Sequence, residues 1–89
     1  DLTRALELEP RYLSAFLQRA LARYVSGDHR GAIEDNTQVL TFPDLPPEIV
    51  ARVFYARAMS YRALGDEARA EQDFDAGRHH DPEGHCDPR

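Results

Sequence analysis

The chain has 89 residues, 42% of them hydrophobic and 30% charged, which suffices for one small folded domain with a hydrophilic surface. Sixteen acidic residues against eleven basic ones give a net charge of −5, which argues against a general binder of nucleic acids or anionic membranes. No run of about 18 apolar residues is present, so no membrane span is expected.

The single cysteine, Cys86, excludes an internal disulfide framework and fits a reducing compartment, so we expect a cytoplasmic protein. All the basic residues are arginine, a bias that favours a GC-rich bacterial coding sequence. The sequence opens "DLTRALELEP", without a methionine and already in a helical pattern. We therefore expect a piece of a longer protein.

The first half of the chain predicts two helices after a helix end. Residues 1–9 have the pattern of a helix that stops near Pro10. Apolar side chains with helical spacing then predict a full helix over 11–25. Gly27 can end this helix in a left-handed turn, and Asp28 can cap the next one. That second helix is predicted to run until the segment "TFPDLPPE" stops it.

The second half repeats this order. A third helix is predicted from about Pro47 to Leu64, since a proline suits the first turn of a helix. Gly65 and Asp66 repeat the stop and start signals, and a fourth helix follows until Pro82. No strand pattern is found, so the predicted fold class is all-α.

The sequence also repeats itself at a fixed offset of 38 residues. The stretch "RYVSGDHRGAIEDN" at 23–36 matches "YRALGDEARAEQDF" at 61–74 in its Gly-Asp pair and in two later positions. Such an offset is typical of stacked helical repeats. Small residues flank each Gly-Asp, and they predict two tightly packed antiparallel helical hairpins. These residues are Ala20 and Ala32 in the first copy, and Ala58 and Ala70 in the second.

With this pattern the chain resembles the tetratricopeptide repeat family, whose aromatic, small, Gly-Asp, Ala, aromatic and Pro positions recur about every 34 residues. The second copy matches at Phe54, Ala58, Tyr61, Gly65, Asp66, Ala70, Phe74 and Pro82. The first copy matches at Phe16, Ala20, Gly27, Asp28 and Ala32, and "FPDLPPE" accounts for its longer step. The resemblance implies stacked antiparallel hairpins in a right-handed superhelical solenoid.

The resemblance also divides the chain. A repeat domain would cover 1–82, and 83–89 would form a tail. Within the domain, 1–10 would end a preceding repeat, while 11–43 and 47–82 would each form one repeat.

Two residues depart from the family pattern. Arg23 and Asn36 stand where the family usually has large aromatic or apolar residues that pack between the two helices. We expect a hydrogen bond in place of this packing, with Tyr24 covering the gap, and we expect the first hairpin to be the softer one.

Two arginine–aspartate pairs recur in register. Arg19 precedes Asp35 by 16 residues, and Arg57 precedes Asp73 by the same number. Across a tight hairpin this separation brings side chains of facing helices together. We predict an ion pair within each hairpin that contributes no more than about 1 kcal/mol if it is partly exposed. The alternative is that Arg19 or Arg57 contacts a ligand.

In the family the first helix of each hairpin lines an inner, concave surface. Residues 11–26 hold three arginines and no acidic residue, so this surface would be comparatively positive. Its mixture of apolar and basic side chains suits a helix or extended peptide with apolar anchors and an acidic flank. Alternatively, the apolar members pack neighbouring helices together. The peptide-binding residues that the resemblance implies are Leu17, Leu21, Tyr24, Arg52, Tyr55, Met59 and Arg62.

The predicted function is therefore a protein–protein interaction module that binds a protein or peptide. We expect no enzyme, no cofactor and no nucleic-acid partner, because no phosphate-binding loop or activated nucleophile is found. No capping helix can follow Pro82, so we expect an exposed apolar end on the last two helices and a weak homodimer through it.

Two alternatives stay open. One is a self-association or intramolecular packing module without a peptide ligand. The other is metal binding by the C-terminal segment, whose candidate ligands are His79, His80, Asp81, His85, Cys86 and Asp87.

Overall fold

The computed structural model of the chain describes residues 10–84. Within this range the chain forms helices and no strand, which confirms the all-α class. The helices are α1 (Pro10–Val25), α2 (His29–Val39), α3 (Pro47–Ala63) and α4 (Glu67–His80). Their ends lie close to the predicted ones. The helix end predicted over 1–9 and residues 85–89 of the tail lie outside the described residues.

The two Gly-Asp pairs form the turns of the hairpins. Gly27 and Gly65 have φ angles of 91° and 83°, a left-handed conformation that glycine adopts readily. The N–H of the following aspartate donates to the carbonyl five residues earlier, at 2.7 Å for Asp28 and 2.9 Å for Asp66. The carboxylates of these aspartates accept from the N–H three residues later, at 3.0 and 3.2 Å. The predicted stop and start signals are confirmed.

Each helix packs against the next: α1 on α2, α2 on α3 and α3 on α4. Turns of three residues join α1 to α2 and α3 to α4, so the members of each pair run antiparallel. The alanines predicted at the contacts are at most 4% exposed: Ala20, Ala32, Ala58 and Ala70. Small side chains therefore lie where the helices of each hairpin meet.

The connection between the hairpins contains the extra residues of the 38-residue step. Residues 40–46 lie between α2 and α3, and Asp44 has a positive φ of 56°. The ring of Phe42 packs edge-on against Phe16 of α1, with 6.1 Å between the ring centroids. The insertion thus returns over the first hairpin and covers part of its apolar surface.

The core of the second hairpin is built around Tyr55, which is 2% exposed. Its ring lies beside that of Phe74, with 6.3 Å between the centroids. A Cβ atom added at Gly77 would lie 2.5 Å from Cε1 of Tyr55, so α4 approaches the ring where it has no side chain. The same buried cluster contains Ala51, Ala58 and Ala70.

Both predicted ion pairs are present. Nε and Nη2 of Arg57 donate to the two carboxylate oxygens of Asp73 at 2.7 and 2.8 Å. Nε and Nη2 of Arg19 donate to Asp35 at 2.9 and 2.7 Å. Each pair is therefore bidentate. These hydrogen bonds raise the pKa of Arg19 and of Arg57 above the ordinary value for arginine, so both guanidinium groups stay charged.

The first hairpin replaces aromatic packing by polar contacts, as expected, but only at one of the two positions. Nη1 of Arg23 lies 3.3 Å from the carbonyl oxygen of Gly31 and 3.4 Å from Oδ1 of Asp35. The Asn36 side chain is 3% exposed and has no hydrogen-bond partner within residues 10–84. Asn36 therefore has no role in this network.

The outward surface of α4 is polar, while Leu64, at the end of the predicted third helix, is 44% exposed. The weak homodimer through the last two helices stays a prediction. The strongly exposed large apolar side chains of the described range are Leu21, Val25 and Leu64, and none of them belongs to α4. The single large apolar residue of α4, Phe74, points into the core at 1% exposure. Within residues 10–84 no helix is both long enough and apolar enough to cross a bilayer.

The two ion pairs should differ in their contribution to stability. Arg57→Ala should lower the free energy of unfolding by about 2–3 kcal/mol, because it leaves Asp73, whose side chain is 8% exposed, without a cation. Arg19→Ala should cost about 1 kcal/mol, because the Arg19 side chain is 54% exposed and Arg23 remains near Asp35. Urea denaturation of both variants measures the difference. Equal losses would contradict this assignment.

Candidate functional site

A cavity of about 310 Å³ lies between α1 and α3, with α2 beneath it, and is called the groove below. Its wall is mainly apolar. Leu21, Arg52 and Ala56 belong to the wall and are exposed, so the groove opens to solvent. The described residues that line it are Leu17, Ala20, Leu21, Tyr24, Asn36, Ile49, Arg52, Val53, Ala56, Met59 and Ser60.

Helical periodicity places these residues together. The α1 members, from Leu17 to Tyr24, follow each other at steps of one or three residues and so share one face of the helix. The α3 members, from Ile49 to Ser60, do the same. Because α1 and α3 each pack against α2, their facing stripes form two walls and α2 closes the space between them.

Five of the seven peptide-binding residues predicted from the sequence line the groove: Leu17, Leu21, Tyr24, Arg52 and Met59. The expectation for Tyr55 is wrong. Its side chain is buried between α3 and α4, where the absence of a side chain at Gly77 makes room for the ring. Arg62 also lies outside the groove lining, and its Nε is 3.9 Å from Oε1 of Glu67.

The groove has a positive mouth. Arg52 is exposed and makes no ion pair with any residue in the part of the chain that the structure describes. None of the described residues that line the groove is acidic. A guanidinium without a carboxylate partner can form charge-assisted hydrogen bonds with an acidic group that arrives from outside.

Two polar residues, Asn36 and Ser60, belong to the groove lining. Ser60 is 0% exposed, and its buried Oγ has no hydrogen-bond partner in the structure. Asn36 is 3% exposed. Buried polar groups are normally paired, because an unpaired one costs about 1–3 kcal/mol. The Ser60 hydroxyl is therefore an exception to this rule.

The sequence predicts these two polar lining residues only in part. The repeat pattern marks Asn36 as polar where a large apolar residue is usual, but it does not predict that Asn36 lies on the groove lining. Nothing in the sequence marks Ser60, since a serine within a helix is common and most serines are exposed. Only the packing of α2 against α3 brings the two residues to the same cavity.

The described part of the C-terminal segment provides no metal centre. Between residues 10 and 84 no cluster of three or more histidine, cysteine or acidic side chains has the arrangement of a metal site. His80 instead stacks on Phe54, with 6.0 Å between the ring centroids. His85, Cys86 and Asp87 lie outside the described residues.

No protein-family model matches this chain, and neither do any curated protein or solved structure. The groove therefore has to be interpreted from its own chemistry.

Ser60→Ala should make the protein more stable. The variant removes a buried hydroxyl without a partner and should raise the free energy of unfolding by about 1 kcal/mol beyond the gain in helix propensity. Ser14→Ala on the exposed surface of α1 is the matched control for that propensity gain. Urea denaturation of both variants gives the comparison, and a loss of stability for Ser60→Ala would show that its hydroxyl is paired.

Proposed function

We propose that this chain is a protein-interaction module whose groove between α1 and α3 binds a segment of a partner protein. The segment inserts an apolar anchor and carries an acidic residue beside it. We further propose that the two hairpins are stacked as in a tetratricopeptide solenoid, with the groove on the concave side. The observation that carries the proposal is the apolar groove itself, at whose mouth Arg52 has no ion pair with any described residue.

The size of the groove supports side-chain anchors. Small-molecule pockets are usually about 300–1,000 Å³, and a cavity of about 150 Å³ holds one benzene molecule. A groove of about 310 Å³ thus has room for about two ring-sized groups. This volume suits one or two residues of a peptide that lies across α1 and α3.

The charges support an acidic flank. Arg52 at the mouth has no partner among the described residues, and no residue of α1 is acidic. The acidic residues of α4, which pairs with α3, are not among the described residues that line the groove. An aspartate or glutamate next to the anchor would therefore meet an unpaired cation, whereas a basic residue would be repelled.

The nature of the surface residues supports adaptable binding. Met59 is half-buried on the groove wall, and its flexible thioether can adjust to anchors of different shape. Leu21 on the groove lining is 65% exposed. Coverage by a bound segment would remove this apolar surface from water.

Selection from a phage-displayed library of random 12-residue peptides against the immobilised chain tests the proposal. The expected result is enrichment of peptides that combine a large apolar or aromatic residue with a neighbouring acidic residue. Failure to enrich any peptide, or enrichment of basic peptides, would overturn the proposal.

Variants on one helix locate the binding surface. Leu21→Glu should weaken binding of the most enriched peptide by at least about tenfold in fluorescence anisotropy, because it puts a carboxylate on the groove wall. The matched control is Val25→Glu, one turn further along α1, which is 76% exposed and does not line the groove. Equal losses for the two variants would place the peptide elsewhere. Sedimentation of the same samples separates peptide binding from self-association.

A further inference from the structure

We propose that the segment bound in the groove is an amphipathic α-helix with an acidic residue beside its apolar stripe, and not an extended strand. This inference rests on the proposed function and specifies the conformation of its ligand. It is carried by the backbone and by the accessible polar groups of the groove walls.

The backbone of the groove walls is already paired. Every described lining residue belongs to α1, α2 or α3, and the backbone groups inside an α-helix pair with each other. The pairing extends to the helix ends beside the groove, where the N–H of Ile49 donates to the carbonyl of Pro46 at 3.0 Å and that of Gly27 donates to the carbonyl of Tyr24 at 3.1 Å. An extended segment therefore finds no sheet edge to which it could add as a strand.

The side chains of the lining do not replace such an edge. Asn36 and Ser60 are at most 3% exposed, so almost none of their polar surface is accessible. The other polar members of the described lining are Tyr24, which is half-buried, and Arg52, which is exposed. Each extended residue brings one backbone donor and one acceptor, and two side chains cannot pair several of them. An extended segment would lose hydrogen bonds to water without replacing them.

An α-helix brings its own backbone pairing and presents only side chains to an apolar wall. Helices bound in this way insert anchors at positions i, i+3 or i+4, and i+7. The α3 part of the lining runs from Ile49 to Ser60, which is about 16 Å at the rise of 1.5 Å per residue, or about three helical turns. A bound helix of that length suits the groove.

Arg52 determines the chemistry beside the apolar stripe. It makes no ion pair with any described residue, and none of the described lining residues is acidic. A carboxylate at the edge of the stripe can pair with its guanidinium, whereas a basic amphipathic helix would be repelled.

Three synthetic sixteen-residue peptides, titrated with the full chain and followed by fluorescence anisotropy, test the conformation. The first has an alanine–glutamine host, three leucines at helical spacing and one glutamate beside them. The second has a proline in place of a central alanine, which breaks a helix, and the third has that proline at the first helical position, where helices tolerate it. The central proline should weaken binding by at least about tenfold, and the terminal proline by less than about twofold.

Three results would overturn the inference. One is equal binding of the two proline peptides. Another is tighter binding of a peptide of the same composition whose leucines occupy alternate positions, the spacing of a strand face. The third is binding of none of the peptides.

A double-mutant cycle tests the acidic residue. Arg52→Ala and a glutamate-to-glutamine change in the peptide should each weaken binding about three- to fivefold. The two changes together should weaken it no further than either alone, because both remove the same ion pair. Arg30→Ala is the matched control without effect, since Arg30 is exposed on α2 and is not among the described lining residues. Additive losses would overturn the pairing of the helix with Arg52.

The outcome is separable from that of the proposed function. A selected peptide that Leu21→Glu releases, but that tolerates a central proline, would refute the helix alone. Binding of no peptide, whether selected or designed, would refute the proposed function as well.

Discussion

The structure depends on the close approach of α3 and α4. The ring of Tyr55 occupies the space that a side chain at Gly77 would need, and Ala58 and Ala70 are completely buried nearby. Protein interiors are packed about as densely as organic crystals, so these small residues determine how closely the helices approach. The same contact directs Tyr55 toward α4 and leaves the opposite stripe of α3, which contains Arg52 and Met59, to face α1. The groove is thus a consequence of how the second hairpin packs.

The two hairpins share the same turns and ion pairs but differ at two repeat positions. Each has a left-handed glycine, an aspartate cap and a bidentate ion pair at an offset of 38 residues. At the two positions where the second hairpin has aromatic residues, the first has Arg23 and Asn36. Arg23 joins the ion-pair network, while Asn36 lies on the groove lining. The same repeat positions thus hold polar side chains in the first hairpin and aromatic side chains, packed in the core, in the second.

The turns, the helices and the ion pairs could be predicted from the sequence, because they depend on local backbone preference and helical period. Gly27, Asp28 and their counterparts define turns through backbone preference, and the spacing of Arg57 and Asp73 follows from the hairpin repeat. The sequence does not show which way Tyr55 points, because its position on α3 allows contact with either α4 or α1. The ring packs against α4 because Gly77 has no side chain there. Asn36 of α2 and Ser60 of α3 line the same cavity because distant segments pack together, and no local pattern of the sequence predicts this.

The most direct test of this packing is the free energy of unfolding of Gly77→Ala, measured by urea denaturation in the natural sequence and in a Tyr55→Leu background. In a helix without crowding, this substitution stabilises by about 1 kcal/mol. In the natural sequence we expect the opposite sign. The free energy of unfolding should fall by about 1–3 kcal/mol, because the new methyl group would overlap the Tyr55 ring. In the Tyr55→Leu background the loss should shrink or become a gain. A gain of about 1 kcal/mol in both backgrounds would contradict the close approach of α3 and α4.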